Sequence, residues 1–136
     1  MTQKIWLNLP VKDVAGSKAF FSAIGFSFNE QHSTPDSACL VVGEKKSVVM
    51  LFKETTFAHI CRAEISDARK GAEVMISFDA QSREEVDEIT RKAREAGANV
   101  FGEPSEIQGW MYGSAFADLD GHRWNVLFMD MGKMGK

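Results

Sequence analysis

The stretch KIWLNLPVKDVAGSKAFFSAIG, residues 4–25, decides the fold. Its opening run, residues 4–11, alternates: Ile5, Leu7, Leu9 and Val11 fall on one face, and Lys4, Trp6 and Asn8 on the other. That period predicts a strand with one face in a core. Asp13 then offers an N-cap, and Val14, Phe21 and Ile24 recur at helical intervals with Phe20 beside them. Gly25 closes the pattern at the position where a left-handed backbone is cheap for glycine. One strand and one amphipathic helix follow.

Three β-like runs come next, at 26–32, 38–43 and 47–53, separated by the turn chemistry of Pro35-Asp36 and Gly43-Glu44-Lys45-Lys46. Residues 55–70 lose this character and read as a linker with a short helix. Then the pattern restarts. Residues 72–80 (AEVMISFDA) alternate, Ser82 and Glu85 form a capping box, and Val86, Ile89, Ala93 and Ala96 make a helical stripe ended by Gly97. Further β-like runs follow at 99–102, 110–117 and 123–129, the last two joined by Asp118-Leu119-Asp120-Gly121. The chain therefore reads β-α-β-β-β twice, an internal repeat that outranks any single segment. The expectation is one α+β domain over 1–136, with a first βαβββ module at 4–54, a second at 71–130, and a frayed tail at 131–136.

One helix per module covers one face of its strands. The apolar sets Ile5/Leu7/Leu9/Val11, Val74/Ile76/Phe78 and Trp124/Val126/Phe128 suit that face. The opposite face carries Trp6, Asn8, Met50 and Phe52 in the first module, and Glu73, Met75, Ser77, Arg123, Asn125 and Leu127 in the second. Tyr112, Ser114 and Phe116 are expected to join it. Aromatic and methionine side chains with a few polar groups are what a small-molecule cavity needs. Each apolar residue has a plainer reading as filler between curved sheets, and Glu73 as the partner of Arg123. A lone carboxylate on an enclosed face is costly unless it is paired.

Composition narrows the rest. The chain has 136 residues, 16 basic against 19 acidic side chains, and a net charge of −3. That balance gives no reason to expect nucleic acid as a partner. No apolar run reaches the length of a membrane span. Met1-Thr2-Gln3-Lys4 has no signal-peptide character, and Cys39 and Cys61 match no metal or redox spacing. Cytoplasmic residence is the expectation. His32, in a polar segment, reads as exposed, His59 falls in the linker, and His122 should point with Trp124.

With the repeat in place, a resemblance can be stated. The double βαβββ plan resembles the vicinal oxygen chelate superfamily of glyoxalase, bleomycin resistance and dihydroxybiphenyl dioxygenase-like proteins. So do Leu9-Pro10-Val11-Lys12-Asp13-Val14 leading into Lys18-Ala19-Phe20-Phe21, Gly25-Phe26, Met111-Tyr112-Gly113 and Asp118-Leu119-Asp120-Gly121-His122. The chain is most similar to a bacterial branch labelled predicted lactoylglutathione lyases. The resemblance implies curved mixed sheets around a cavity, formed within one chain or across a homodimer, and a homodimer is the expectation.

Metal-dependent members take four ligands, His, Gln or Glu, from one strand each. Those positions carry over to Trp6, Met50, Glu73 and Asn125. Trp6 has no in-plane acceptor, a thioether suits soft metals, and a carboxamide oxygen is a weak neutral donor. Glu73 alone is a competent ligand, so no metal cofactor is expected. The expected function is capture of a small organic molecule by Trp6, Asn8, Met50, Phe52, Met75, Ser77, Tyr112, Phe116, Arg123 and Asn125. The alternative is lyase or isomerase chemistry with Glu73 as general base, raised toward neutrality by burial. Whether the chain is an enzyme stays open at this point.

Overall fold

In the computed structural model, which describes residues 1–134, the Asp13 side chain accepts from the Gly16 N–H at 3.1 Å and starts helix α1 (Val14–Ala23). The helix ends as its glycine predicts. Gly25 has φ +104°, its N–H donates to the Ser22 carbonyl at 3.1 Å, and the Phe26 N–H donates to the Phe21 carbonyl at 3.0 Å. These are the paired bonds of a Schellman cap, and the accompanying apolar contact is the stacking of Phe26 on Phe21. Helix α3 (Arg83–Glu95) repeats the device at Gly97, φ +109°, and begins with the Ser82 hydroxyl accepting from the Glu85 N–H. Helix α2 (Glu54–Cys61) is the short helix expected between the modules.

The chain forms two units, Met1–Ser66 and one from Asp67 onward. In the first, β1 (Leu7–Val11) lies parallel to β4 (Ser47–Lys53); β3 (Ser37–Val42) and the two-residue β2 (Ser27–Phe28) follow antiparallel. The order is β1-β4-β3-β2. The second unit has the same plan: β5 (Met75–Asp79) parallel to β8 (Arg123–Met129), then β7 (Met111–Ala117) and β6 (Asn99–Ile107), in the order β5-β8-β7-β6. The result is α+β, two four-stranded mixed sheets and three helices. No helix among the described residues is long and apolar enough to cross a membrane.

Each unit has its own core. In the first, α1 packs on β3 and β4, and Phe20, Phe21, Val11, Leu40 and Leu51 are almost fully buried. Burying one such side chain contributes about 1.5–3 kcal/mol. In the second, α3 packs on β6, β7 and β8 over Val86, Phe116, Trp124 and Val126. Two hydroxyls sit in that core: Thr90 Oγ1 donates to the Val86 carbonyl and lies 2.6 Å from Ser114 Oγ.

Three expectations need correction. The alternating runs start too early: Ile5 and Val74 lie outside β1 and β5 and are exposed, and Leu7 is only partly covered. The 26–32 run pairs only over Ser27–Phe28; the Asn29 side chain then accepts from the Gln31 N–H, turning the chain into a 3-10 turn at Glu30–His32. Strand β6 is longer than expected and continues to Ile107. In the expected tail, Met131–Met134 form a turn held by Asp130, whose side chain accepts from the Gly132 N–H; Gly135 and Lys136 lie outside the described residues.

Candidate functional site

The open face of the first sheet is the side away from α1. Alternation puts Val49 and Leu51 of β4 into the core, which leaves Val48, Met50 and Phe52 facing outward. Pairing does the same for β3: Cys39 lies opposite Met50 and Val41 opposite Val48. These five side chains form the floor of a cleft of about 720 Å³. Trp6 and Lys4, from the segment ahead of β1, stand on one side of it. Asn29, Gln31, His32 and Thr34 form another wall, and Lys46 enters from the turn between β3 and β4.

That polar wall is tied to the sheet. The Asn29 N–H donates to the Cys39 carbonyl at 2.9 Å, and the Ser33 hydroxyl donates to the Asn29 carbonyl while accepting from the Cys39 N–H at 3.1 Å. The Thr34 and Ser37 hydroxyls lie 2.9 Å apart. A wall fixed in this way loses little freedom when a ligand arrives, which favours binding. Trp6 is 55% exposed, so its ring is available to stack on a ligand. Asn8 is the register partner of Met50 but does not line the cleft.

The residues expected from the second module are distributed differently. Ser77 and Asn125 are register partners, and the Ser77 hydroxyl donates to Asn125 Oδ1. Met75 pairs with Arg123, whose guanidinium lies 4.1 Å from the centre of the Phe101 ring. Among the described residues no ion pair joins Arg123 to Glu73. Tyr112 and Phe116 are on the other face. Their partners across the sheet are Phe128 and Trp124, on the side that α3 covers. The Tyr112 hydroxyl donates to Asp87 Oδ1 of α3 at 2.7 Å, and Phe116 is fully buried, 6.5 Å from the Phe78 ring. Neither is available as an open-face contact.

Glu73 lies ahead of β5 and is exposed. The burial expected of it is therefore missing. The buried carboxylate of this unit is Asp118, only 7% exposed, which accepts from the N–H groups of Asp120 and His122 and from Trp124 Nε1 at 3.0 Å. Burial pushes its carboxyl above the ordinary value, while the charge of His122 and the bond from Trp124 pull it down. It holds the hairpin turn.

The four family ligand positions do not fit a divalent ion. Trp6 and Met50 in the first unit supply an indole and a thioether. In the second, the Asn125 oxygen already accepts from Ser77, and Glu73 is a single carboxylate. Among the described residues no three His, Cys, Asp or Glu side chains are grouped to hold a metal. Sequence reasoning found Trp6, Met50 and Phe52 of the cleft and missed its other nine lining residues, among them Val41 and Val48 of the floor and Lys4, His32 and Lys46 of the rim. Turn residues enter the cleft through long-range pairing, for which the local sequence carries no signal.

Comparison with known proteins agrees with this architecture. The family model described as Glyoxalase/Bleomycin resistance protein/Dioxygenase superfamily matches residues 5–126. A hypothetical protein from S. aureus is 35% identical, with 94% of each chain covered and a TM-score of 0.83. A glyoxalase/bleomycin resistance protein/dioxygenase family enzyme from Burkholderia phytofirmans PsJN is 21% identical, covering 91% of this chain and 96% of its own, with a TM-score of 0.77. The fosfomycin resistance protein FosX from Listeria monocytogenes, solved with Mn(II) and sulfate, is 19% identical over 98% of this chain and 94% of its own, at a TM-score of 0.70. No curated protein gives a significant match. The last two likenesses concern the fold alone. Sequence and structure together place the chain in the Glyoxalase/Bleomycin resistance protein/Dioxygenase superfamily.

Proposed function

We propose that the protein binds a small organic molecule in the cleft of its first unit, over Trp6, Met50 and Phe52, without a resident metal ion. One observation carries this reading: a cleft of about 720 Å³ with an apolar floor and a pinned polar wall. That volume lies within the range of ordinary ligand pockets, about 300–1,000 Å³. The donor set at the family ligand positions supports the metal-free part. The general-base alternative has no comparable support, because Glu73 is exposed.

A neutral fluorescent probe, N-phenyl-1-naphthylamine, tests the reading. Its emission should rise on binding, and energy transfer should quench the exposed Trp6. Met50→Glu puts a charge on the apolar floor and should weaken binding about tenfold or more, equivalent to about 1.4 kcal/mol. Trp6→Phe should reduce the tryptophan quenching, because of the three tryptophans only Trp6 lines the cleft. Probe binding unaffected by Met50→Glu would place it elsewhere and refute the proposal.

A further inference from the structure

The charges around the cleft are unlike those of the chain. The protein carries more acid than base, 19 against 16, yet the side chains lining the cleft include Lys4, Lys46 and His32 and no aspartate or glutamate. The acid nearest in sequence to that wall, Glu30, is held by Lys18 at 3.0 Å and does not line the cleft. Among the described residues neither Lys4 nor Lys46 is paired with a carboxylate. Two unneutralised ammonium groups therefore border an apolar floor, in a molecule whose overall charge is negative.

The backbone gives a second, independent observation. Lys46 has φ +57°, the left-handed region where glycine or asparagine normally sits. The turn is closed by the Lys46 N–H donating to the Gly43 carbonyl at 3.0 Å, and Gly43 is itself left-handed at φ +78°. A lysine there keeps an ammonium at the cleft against a backbone penalty.

We infer that the cleft takes an organic anion, a carboxylate or sulfonate on an apolar body of aromatic size. Its rings lie over Met50 and Phe52 beside Trp6, and its charge lies between Lys4 and Lys46. The His32 ring and the Gln31 amide supply further hydrogen-bond donors on the same rim. This assignment rests on the binding reading above and adds the sign of the ligand's charge.

A matched pair of probes separates the two claims. 8-Anilinonaphthalene-1-sulfonate has the same two-part aromatic body as N-phenyl-1-naphthylamine with one sulfonate added. The anion should bind about tenfold more tightly at low salt. The preference should shrink at about 1 M NaCl, where the screening length falls to about 3 Å. Lys4→Ala combined with Lys46→Asn should bring the affinities of the two probes together, and asparagine tolerates the left-handed position. Retained binding of the neutral probe shows that this variant folds. Equal affinity for the two probes, or a preference that survives loss of both lysines, overturns the anion assignment and leaves the cleft a binding site. Binding of neither probe overturns both.

Discussion

Replacing Asp118 by asparagine should destabilise the second unit, by an amount set by one hydrogen bond. The carboxylate accepts at Oδ1 from the backbone of Asp120 and His122, at 2.9 and 3.0 Å, and at Oδ2 from Trp124 Nε1. Asparagine keeps one acceptor oxygen. If it serves the two backbone groups, an NH2 faces the indole N–H, and Trp124, 0% exposed, has no water to turn to. A buried donor left unsatisfied costs about 1–3 kcal/mol. Relief of carboxylate desolvation offsets part of this, so about 1–2 kcal/mol is expected at neutral pH. The pH dependence gives a sharper test. Burial raises the folded-state value above 3.8, so between the two values the native state holds more proton than the unfolded state. Wild-type stability at this site therefore rises as pH falls through that window and is lost as pH rises through it. The asparagine variant lacks the titration, so its deficit should widen on acidification. Urea denaturation of both proteins from neutral pH down to about 4 measures it. A deficit under about 0.5 kcal/mol at neutral pH, or one that narrows with acid, would refute the reasoning.

Three further outcomes follow from the second unit. Thr90→Val leaves Ser114 without its hydroxyl partner in the core and should cost about 1–2 kcal/mol; adding Ser114→Ala should recover part of it in urea unfolding. Gly113→Ala would place a Cβ 2.6 Å from both Leu127 Cδ2 and the Val126 carbonyl oxygen. Because the backbone cannot yield as a side chain does, a loss of about 1–3 kcal/mol is expected in the same assay. Tyr112 is the only tyrosine, so absorbance near 295 nm reports it alone. Its hydrogen bond to Asp87, burial and the Asp87 charge all raise its titration above 10.0, and Asp87→Asn should lower the midpoint. The stability linked to this phenol is present below the unfolded value and is lost as pH rises through the folded one. A midpoint indifferent to Asp87 would count against the contact.

Elements were legible where local chemistry fixes them. Asp13, Ser82, Gly25 and Gly97 set the ends of two helices because caps depend on residues within one turn. The repeat was legible because both modules use the same devices. The face presented by β7 was not. Tyr112, Ser114 and Phe116 mix polar and aromatic character, and Gly113 and Ala115 between them are too small to mark a core face, so alternation alone did not fix the phase. Pairing with Phe128, Val126 and Trp124 decides it, and that register spans the hairpin turn held by Asp118. Ile5 and Val74 failed for a related reason: a period of two marks residues that could be buried and does not say where the covering helix stops. The cleft floor was half legible through Met50 and Phe52. Its rim was not, because Lys46 and His32 read locally as ordinary turn residues.

The order in which the strands pair also bears on how the molecule is made. Leu7 meets Val49, 42 positions later, and Met75 meets Arg123, 48 positions later. A first strand that pairs only with the last of its unit has no partner until nearly the whole unit has been synthesised. Closing so long a loop precedes any reward from the contact, which slows folding relative to local pairing. The first unit has its own helix, sheet and core, so it can complete this closure while the second is still being made. Lys4 and Trp6 leave the ribosome first but reach their positions last, when β1 docks on β4. Formation of the cleft is thus a late event in the first unit's folding, and gain of probe binding during refolding should lag behind burial of Phe21 under α1.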